Sequence, residues 1–351
     1  MLDRHTASLE LIQPKVAELW RRDVLNRREV LKAMGAVPAA AGLESVLPSG
    51  KPPTFQGSRT LRAISDLVGH LEQTYHVGDP KSLVLPVTAL VETIEDLLPE
   101  VRERSQRSSM LALLARSNLL AGRLSFFDVH RPRDARWHLD LAREAAQQAG
   151  DPVMTSVVYG HMAFLPAAKH NFEASASYVA GARDALARQP IALVESWLSA
   201  VEGELNTQAG SLTPARHCID RARATLEDRR QASAPKWFDF YDANRLNGFD
   251  GFTLRKAGDL DGARACLTAA MQPGPDVGPK QRAVTMLDLA ATSIEQGDVD
   301  YGSRLAVEAA SGLRAAGYAT AVDRLVEVKD TLPDPRSPQA RLLAETLAEL
   351  S

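Results

Sequence analysis

The sequence is poor in aromatic residues, in cysteine and in long hydrophobic runs. Aromatic side chains make up 5% of its 351 residues, and Cys218 and Cys266 are its only cysteines. Two isolated thiols do not predict a disulfide framework. No segment reaches the roughly 18 uncharged apolar residues that a transmembrane helix needs, so no membrane association is expected. A formal net charge of −3 argues against a protein that coats nucleic acid along its length.

Signatures of catalysis and of metal binding are also missing from the sequence. There is no phosphate loop, no GxGxxG, HExxH or GxSxG motif, and no Cys/His spacing suited to zinc. The eight histidines are scattered, so solvated or hydrogen-bonded rings are expected rather than ligands. The sequence therefore predicts neither an enzyme nor a cofactor. A helical protein with a small-molecule pocket or an enzymatic site stays open as an alternative.

Alanine and leucine at helical spacing dominate the composition. Hydrophobic residues make up 45% of the chain, and the alternation of Val, Ile and Thr that is typical of strands is scarce, so the fold is predicted to be all-α. Two amphipathic helices are predicted within residues 60–100. A last helix is predicted to carry four leucines on one face and to cap the fold, namely Leu342, Leu343, Leu347 and Leu350.

A pattern of small and apolar residues recurs along the chain. A small residue is followed by a larger apolar residue four positions on and by a small residue, usually alanine, seven positions on. These offsets lie on one helical face, so each set predicts a buried stripe. The sets are Ala135/Leu139/Ala142, Ala215/Ile219/Ala222 and Ala263/Leu267/Ala270, with looser matches at Ala174/Tyr178/Gly181 and Gly302/Ala306/Ala309.

Small residues twelve positions before three of these sets complete a two-helix unit. Gly203, Gly251 and Ala290 stand there, and a small side chain lets the first helix of a hairpin approach the second closely. Turn signals fall between the two helices, at 209–211, 257–259 and 296–298. Cys218 and Cys266 occupy equivalent places in their units. They are predicted to be small buried thiols rather than a disulfide.

This pattern resembles tetratricopeptide (TPR) repeats, which place small and apolar residues at these offsets. The resemblance is best over about 190–315 and weaker back to about 105. It implies a right-handed α-solenoid of stacked helical hairpins, with an inner surface of first helices that binds a peptide, a helix or another protein. Two features depart from the family. The units recur about every 40 residues rather than 34, and the aromatics expected late in the first helix are mostly missing.

Residues 1–50 form a separate segment ahead of the repeat domain predicted for 51–351. In one interpretation they hold two short helices and an Ala/Gly/Pro linker. In the other, 26–32 resembles a twin-arginine export signal followed by a weakly apolar stretch at 33–43, and the protein is an exported binding protein. The sequence favours a cytoplasmic protein, because four acids precede the paired arginines and Pro38 interrupts the apolar stretch.

The order of an arginine-containing segment, a linker and a TPR-like array resembles the C-terminal part of actinobacterial helix-turn-helix (XRE-type) transcriptional regulators. In that family the array is the sensing and dimerising part. Here about 33 residues precede the linker, whereas a helix-turn-helix domain needs roughly 55–65. The resemblance therefore implies a cytoplasmic regulatory protein without the DNA-binding domain. It would bind a peptide or protein partner and would be compatible with a homodimer, and direct DNA binding is not expected.

The stretch 236–242 is the exception to the scarcity of aromatics, with four aromatic residues and two acids. One interpretation is a patch on the inner surface that holds a basic or amphipathic peptide. The other is a long first helix that packs these rings on its neighbour. Repeat register adds residues at matching places on successive first helices. The predicted partner-binding residues are Trp197, Trp237, Tyr241, Arg245, Phe252 and Arg255.

Overall fold

A computed structural model describes residues 54–228, 234–272, 278–316 and 318–350. Within these ranges every regular element is a helix, which confirms the all-α prediction. None of the described helices is long and apolar enough to cross a lipid bilayer. The segment 1–50 and both of its interpretations lie outside the described residues.

The chain divides into two compact units, of which the first holds the described residues up to Thr74, Lys81–Ser125 and Arg131–Asp151. Its helices begin with α1 (Ser58–Val77) and α2 (Pro80–Leu97), which match the two amphipathic helices predicted there. A 3₁₀ turn (Leu98–Glu100), α3 (Arg104–Arg123), a π-helical turn (Leu124–Asp128) and α4 (Pro132–Ala149) follow. The helices α3 and α4 pack on each other as a hairpin. Arg116 Nε donates to Glu72 Oε1 over 3.0 Å and thereby joins α1 to α3.

The second unit holds Tyr75–Pro80, Phe126–His130 and the described residues from Pro152 onward. Its helices are α5 (Pro152–Met162), α6 (Phe164–Ala167), α7 (Phe172–Leu186), α8 (Ala192–Gln208), α9 (Leu212–Glu227), α10 (Ala243–Lys256), α11 (Leu260–Ala270), α12 (Pro279–Glu295), α13 (Val299–Ala316), α14 (Ala319–Asp330) and α15 (Pro338–Leu350). They pack as the pairs α5/α7, α8/α9, α10/α11, α12/α13 and α14/α15. The first helices also touch in succession, α8 on α10, α10 on α12 and α12 on α14.

A buried lysine ties the two short segments of the second unit to α12. The Lys280 ammonium pairs with the Asp128 carboxylate and lies 4.0 Å from the centroid of the Tyr75 ring. The hydroxyl of Thr320 on α14 donates to the carbonyl of Phe127 over 3.1 Å. These contacts join both segments to helices of the second unit.

Three hairpins close on a small residue, as the twelve-residue offset predicted. A Cβ added to Gly251 would lie 2.5 Å from Leu267 Cγ, and one added to Gly203 would lie 2.9 Å from Ile219 Cδ1. In the α12/α13 pair the glycine is on the second helix, since a Cβ at Gly302 would lie 2.6 Å from the Ala290 carbonyl oxygen. These distances are too short for any side chain, so the paired helices approach as closely as their backbones allow.

Five turns between paired helices contain a residue in the left-handed conformation. Positive φ angles of 75°, 81° and 92° occur at Gly210, Gly258 and Gly297. The next residue begins the following helix, as when Asp259 Oδ1 accepts from the amide of Gly262 over 3.0 Å. His130 and His170 take the same left-handed conformation before α4 and α7, with φ of 54° and 56°. The Gly-based turn signal therefore found three of these turns and missed two.

The stripe predicted on α7 was wrong by one position. Ser175, Val179 and Ala182 are buried there, and the predicted set Ala174/Tyr178/Gly181 is only half-buried. Asn171 caps α7 four residues before Ser175, as Asp259 caps α11 four residues before Ala263. Because a serine occupies the first buried position, the alanine pattern does not indicate the correct register.

The leucine face predicted on α15 also needs a correction. Leu343 is fully buried, but its neighbour Leu342 is 46% exposed. Successive helical residues are about 100° apart, so both cannot face the core. The buried face instead continues from Leu343 through Thr346 to Leu347.

Replacing Gly251 with alanine should destabilise the protein by about 1–3 kcal/mol, because the new methyl group overlaps Leu267. A matched control is Gly312 on α13, where an added Cβ would meet no atom within 4 Å. There, alanine should stabilise by about 0.5–1 kcal/mol through helix propensity. Urea unfolding of both variants measures the two effects. Equal effects would show that the close approach at Gly251 has no energetic importance.

Candidate functional site

Four successive first helices of the second unit contribute to one polar cluster. We call its members the first-helix cluster: Glu204 on α8, Phe252 and Arg255 on α10, Asp288 on α12, and Arg324 and Glu327 on α14. The repeat accounts for the positions of Glu204 and Phe252. They are 48 residues apart, and 48 residues also separate Ala215 from Ala263. Equivalent positions on stacked helices thus become neighbours in space.

Arg324 is the centre of the cluster. Its guanidinium lies over the Phe252 ring, 4.0 Å from the centroid. Three carboxylates surround it: Glu327 Oε2 at 3.1 Å from Nη1, Glu204 Oε1 at 3.5 Å from Nη2, and Asp288 Oδ1 at 3.7 Å from Nε. Burial would lower the pKa of Arg324, but Asp288, Glu204 and Glu327 outweigh it and raise that pKa above its ordinary value. The guanidinium is therefore charged at any physiological pH.

Glu327 is the best-paired acid of the cluster. Its Oε1 accepts from Arg255 Nη2 over 2.8 Å and from the Lys256 ammonium, while Arg255 Nη1 donates to Glu295 over 2.9 Å. Burial alone would raise the pKa of Glu327, but Arg324 and Arg255 overcome it and hold that pKa at about 2. The side chain of Arg255 is only 1% exposed, so these acids neutralise a charge that water does not reach.

Glu204 and Asp288 are less well satisfied than Glu327. Burial raises the pKa of Glu204 above its ordinary value despite Arg324 and Arg245, and the negative charge of Asp288 adds to the rise. The side chain of Asp288 is 5% exposed, and its Oδ1 accepts no hydrogen bond within the described part of the chain. The 3.7 Å from Arg324 Nε to this oxygen is too long for a hydrogen bond. Asp288 Oδ1 thus lacks the donor that a buried acceptor needs, whereas Glu204 Oε1 accepts a long hydrogen bond of 3.3 Å from Gln208 Nε2.

The structure places four of the six predicted partner-binding residues in the interior. Trp197, Tyr241, Phe252 and Arg255 are each 4% exposed, whereas Trp237 and Arg245 are half-buried. The first four therefore do not form an exposed patch. Phe252 and Arg255 belong to the first-helix cluster. For these two residues the repeat register predicted the correct helix.

The acids of the cluster and Arg324 are residues that sequence reasoning missed. One signal was present, because counting back 48 positions from Phe252 gives Glu204. No comparable signal pointed to Arg324, which lies on a helix without the repeat pattern.

The aromatic stretch 236–242 is not the long helix of one interpretation. It is irregular up to Asp242, and α10 begins only at Ala243. Asp242 caps this helix by accepting from the amide of Arg245 over 2.7 Å. The residues before Asp242 are irregular and pack on neighbouring helices. This segment accounts for the longer spacing between the units at Ala215 and Ala263.

Two rings of this stretch pack on Trp197. Phe238 and Phe240 lie 5.7 and 5.8 Å from it between ring centroids, and His161 lies 5.0 Å away on the α5 side. The Tyr241 hydroxyl shares a 2.8 Å hydrogen bond with that of Ser196. The chain thus covers Trp197 with its own aromatic residues, which is why this predicted anchor is buried.

The two cysteines are unpaired and poorly reactive. Cys218 is buried and Cys266 is half-buried, and neither forms a disulfide. Burial, together with Asp250, raises the pKa of Cys266 to about 11. Among the described residues, no three His, Cys, Asp or Glu side chains gather closely enough to hold a metal ion.

No protein-family model matches this chain, and comparison with curated proteins finds no significant relative.

Two substitutions should distinguish the well-paired acid Glu327 from the poorly paired acid Glu204 by their effects on stability. Glu327→Gln should destabilise the protein by about 1–3 kcal/mol at neutral pH, because Arg255 and Arg324 lose a counter-charge. Glu204→Gln should leave stability unchanged or raise it, since it removes a carboxylate whose pKa burial raises. Thermal unfolding at neutral pH compares both variants with the parent chain.

The pH dependence gives the same test a second readout. A lowered carboxyl pKa stabilises the fold above the ordinary value of 4.5, and this stability disappears as the pH falls towards about 2. The difference between the parent chain and Glu327→Gln should therefore shrink across this range. For Glu204 the sign is opposite, because a raised pKa stabilises the fold at low pH and loses this effect as the pH rises. Equal behaviour of the two variants would contradict the assignment.

Proposed function

We propose that this protein is a TPR-like regulatory scaffold that binds a peptide or protein partner on the first-helix face of its second unit. The pairs of that unit would belong to a right-handed α-solenoid, and the first-helix cluster would lie in its concave groove. The observation that carries the proposal is the convergence of Glu204, Asp288 and Arg324 from three first helices. A stacked array of hairpins uses this surface for recognition.

The free-energy cost of burying the charges of the first-helix cluster supports a role in binding. Buried ion pairs often contribute less to stability than well-packed apolar residues of similar volume, because each charge is taken out of water. A face that served only packing would be expected to carry apolar side chains, as the second-helix stripe at Ala263, Leu267 and Ala270 does. Charges that are kept despite this cost suit the recognition of a charged partner.

The resemblance to the sensing region of XRE-type regulators supports a role in transcriptional or signalling control. In this proposal the protein acts in the cytoplasm, and it works through the bound partner rather than through direct contact with DNA. A homodimer is compatible with it.

Selection from a random library of short peptides tests the function without a known partner. The full chain is immobilised, and enriched peptides are then mapped with a photo-cross-linking amino acid in place of one residue. Gln208 suits this purpose, because it is exposed on α8 and its Nε2 donates to Glu204 over 3.3 Å. Asp220, exposed on the second helix α9, is the matched control.

Enriched peptides should cross-link from position 208 and not from position 220. Failure to enrich any peptide, or cross-links from 220 alone, would remove the first-helix face from consideration.

A further inference from the structure

Asp288 has a buried acceptor without a donor. The residue lies on α12, its side chain is 5% exposed, and Oδ1 has no hydrogen-bond partner among the described residues. Most buried polar atoms in proteins are hydrogen-bonded, and an ionised oxygen that lacks a donor destabilises the fold. Such an atom at a polar cluster indicates a donor that the described part of the chain does not supply.

The cations around Glu204 and Asp288 have other partners, and Arg245, whose charge opposes the rise in the pKa of Glu204, lies over the Phe249 ring at 4.8 Å from its centroid. Arg255 donates to Glu295 and Glu327 over 2.9 and 2.8 Å, and Lys256 also pairs with Glu327. Arg324 gives its hydrogen bond to Glu327 over 3.1 Å. It stands 3.5 Å from Glu204 and 3.7 Å from Asp288, as an ion-pair partner only.

Arg324 is also held in place and is poorly able to turn towards Asp288. Its guanidinium stacks on the Phe252 ring at 4.0 Å, and this contact fixes the plane in which its five N–H groups point. Glu204 and Asp288 are thus two largely buried carboxylates beside one guanidinium that is bonded to a third acid. Asp288 Oδ1 therefore has room for one further N–H donor.

We propose that Glu204 and Asp288 receive the protonated amine or guanidinium of a lysine or arginine side chain from the partner peptide. This proposal rests on the function proposed above and names the chemistry of the partner. The incoming group donates an N–H to Asp288 Oδ1 and forms an ion pair with the Glu204 carboxylate. Charge-assisted hydrogen bonds of this kind are stronger than neutral ones and set the register of the bound peptide.

The test uses the peptides enriched on the full chain. Each basic residue of a peptide is replaced in turn, lysine by norleucine and arginine by citrulline, which keep the length and remove the charge. Affinities are measured by fluorescence anisotropy for the parent chain, Asp288→Asn and Glu204→Gln. Asp220→Asn on α9 is the control, because that acid is exposed and lies on a second helix.

One basic residue of the peptide should prove essential. Its replacement and the Asp288→Asn substitution should each weaken binding by about tenfold or more, and the two together should weaken it little further, because they remove the same contact. Glu204→Gln should also weaken binding, and Asp220→Asn should not change it. Equal affinity of Asp288→Asn and the parent chain, or enriched peptides without basic residues, would overturn the proposal.

The unfolding temperatures of the variants distinguish a binding role of Asp288 from a role in stabilising the fold. If Asp288 receives a ligand, Asp288→Asn should unfold at the same temperature as the parent chain or a higher one while its affinity falls. A lower unfolding temperature together with unchanged peptide coupling would assign Asp288 to packing and overturn the proposal. If Asp288→Asn does not fold, Glu204→Gln carries the same comparison.

A free amine shares this chemistry, and spermidine distinguishes the two sources. Spermidine binding that depends on Asp288, with peptides that bind independently of their basic residues, would assign the site to a free amine and overturn the peptide source. The proposed function fails in a different way, when no peptide is enriched or when peptides cross-link only from position 220.

Discussion

The close approach of paired helices is the constraint on which the rest of the second unit depends. At Gly251 the backbone of α10 lies against Leu267 of α11, and the same contact recurs at Gly203 with Ile219. Because a side chain at the glycine would push the helices apart, the apolar stripe of each second helix can be buried only while this contact is kept. The first helices then meet in succession, and their remaining face can carry polar residues.

The acids on that polar face are unequally paired with cations. Glu327 is bonded to three cations, and its pKa is about 2, whereas burial raises the pKa of Glu204. The difference arises from geometry, because Arg324 lies on Phe252 and offers its shortest hydrogen bond to Glu327. A cluster selected for stability alone would be expected to satisfy its acids evenly or to replace them with apolar residues. The imbalance is therefore the feature that argues for a binding role on this face.

Much of the local structure could be predicted from the sequence, and the site only in part. Offsets of four, seven and twelve residues found the hairpins that end in α4, α9, α11 and α13, because these offsets reflect helix geometry and close packing. The register of α7 was missed since Ser175 replaces alanine, and two turns were missed because histidine takes the left-handed conformation there. The burial of Arg255 depends on Glu327, which is 72 positions away on a helix without a repeat pattern, so no local signal reveals it.

The aromatic stretch shows how an insertion changes which residues remain for recognition. Phe238 and Phe240 pack on Trp197, so the ring that repeat register offers as an anchor is used within the chain. What the face retains is charge, concentrated where α8, α12 and α14 meet at Arg324. An aromatic anchor contributes area and tolerates many partners, whereas a buried carboxylate rejects any group that does not neutralise it. A partner of this face would therefore be selected by its charge more than by its apolar surface.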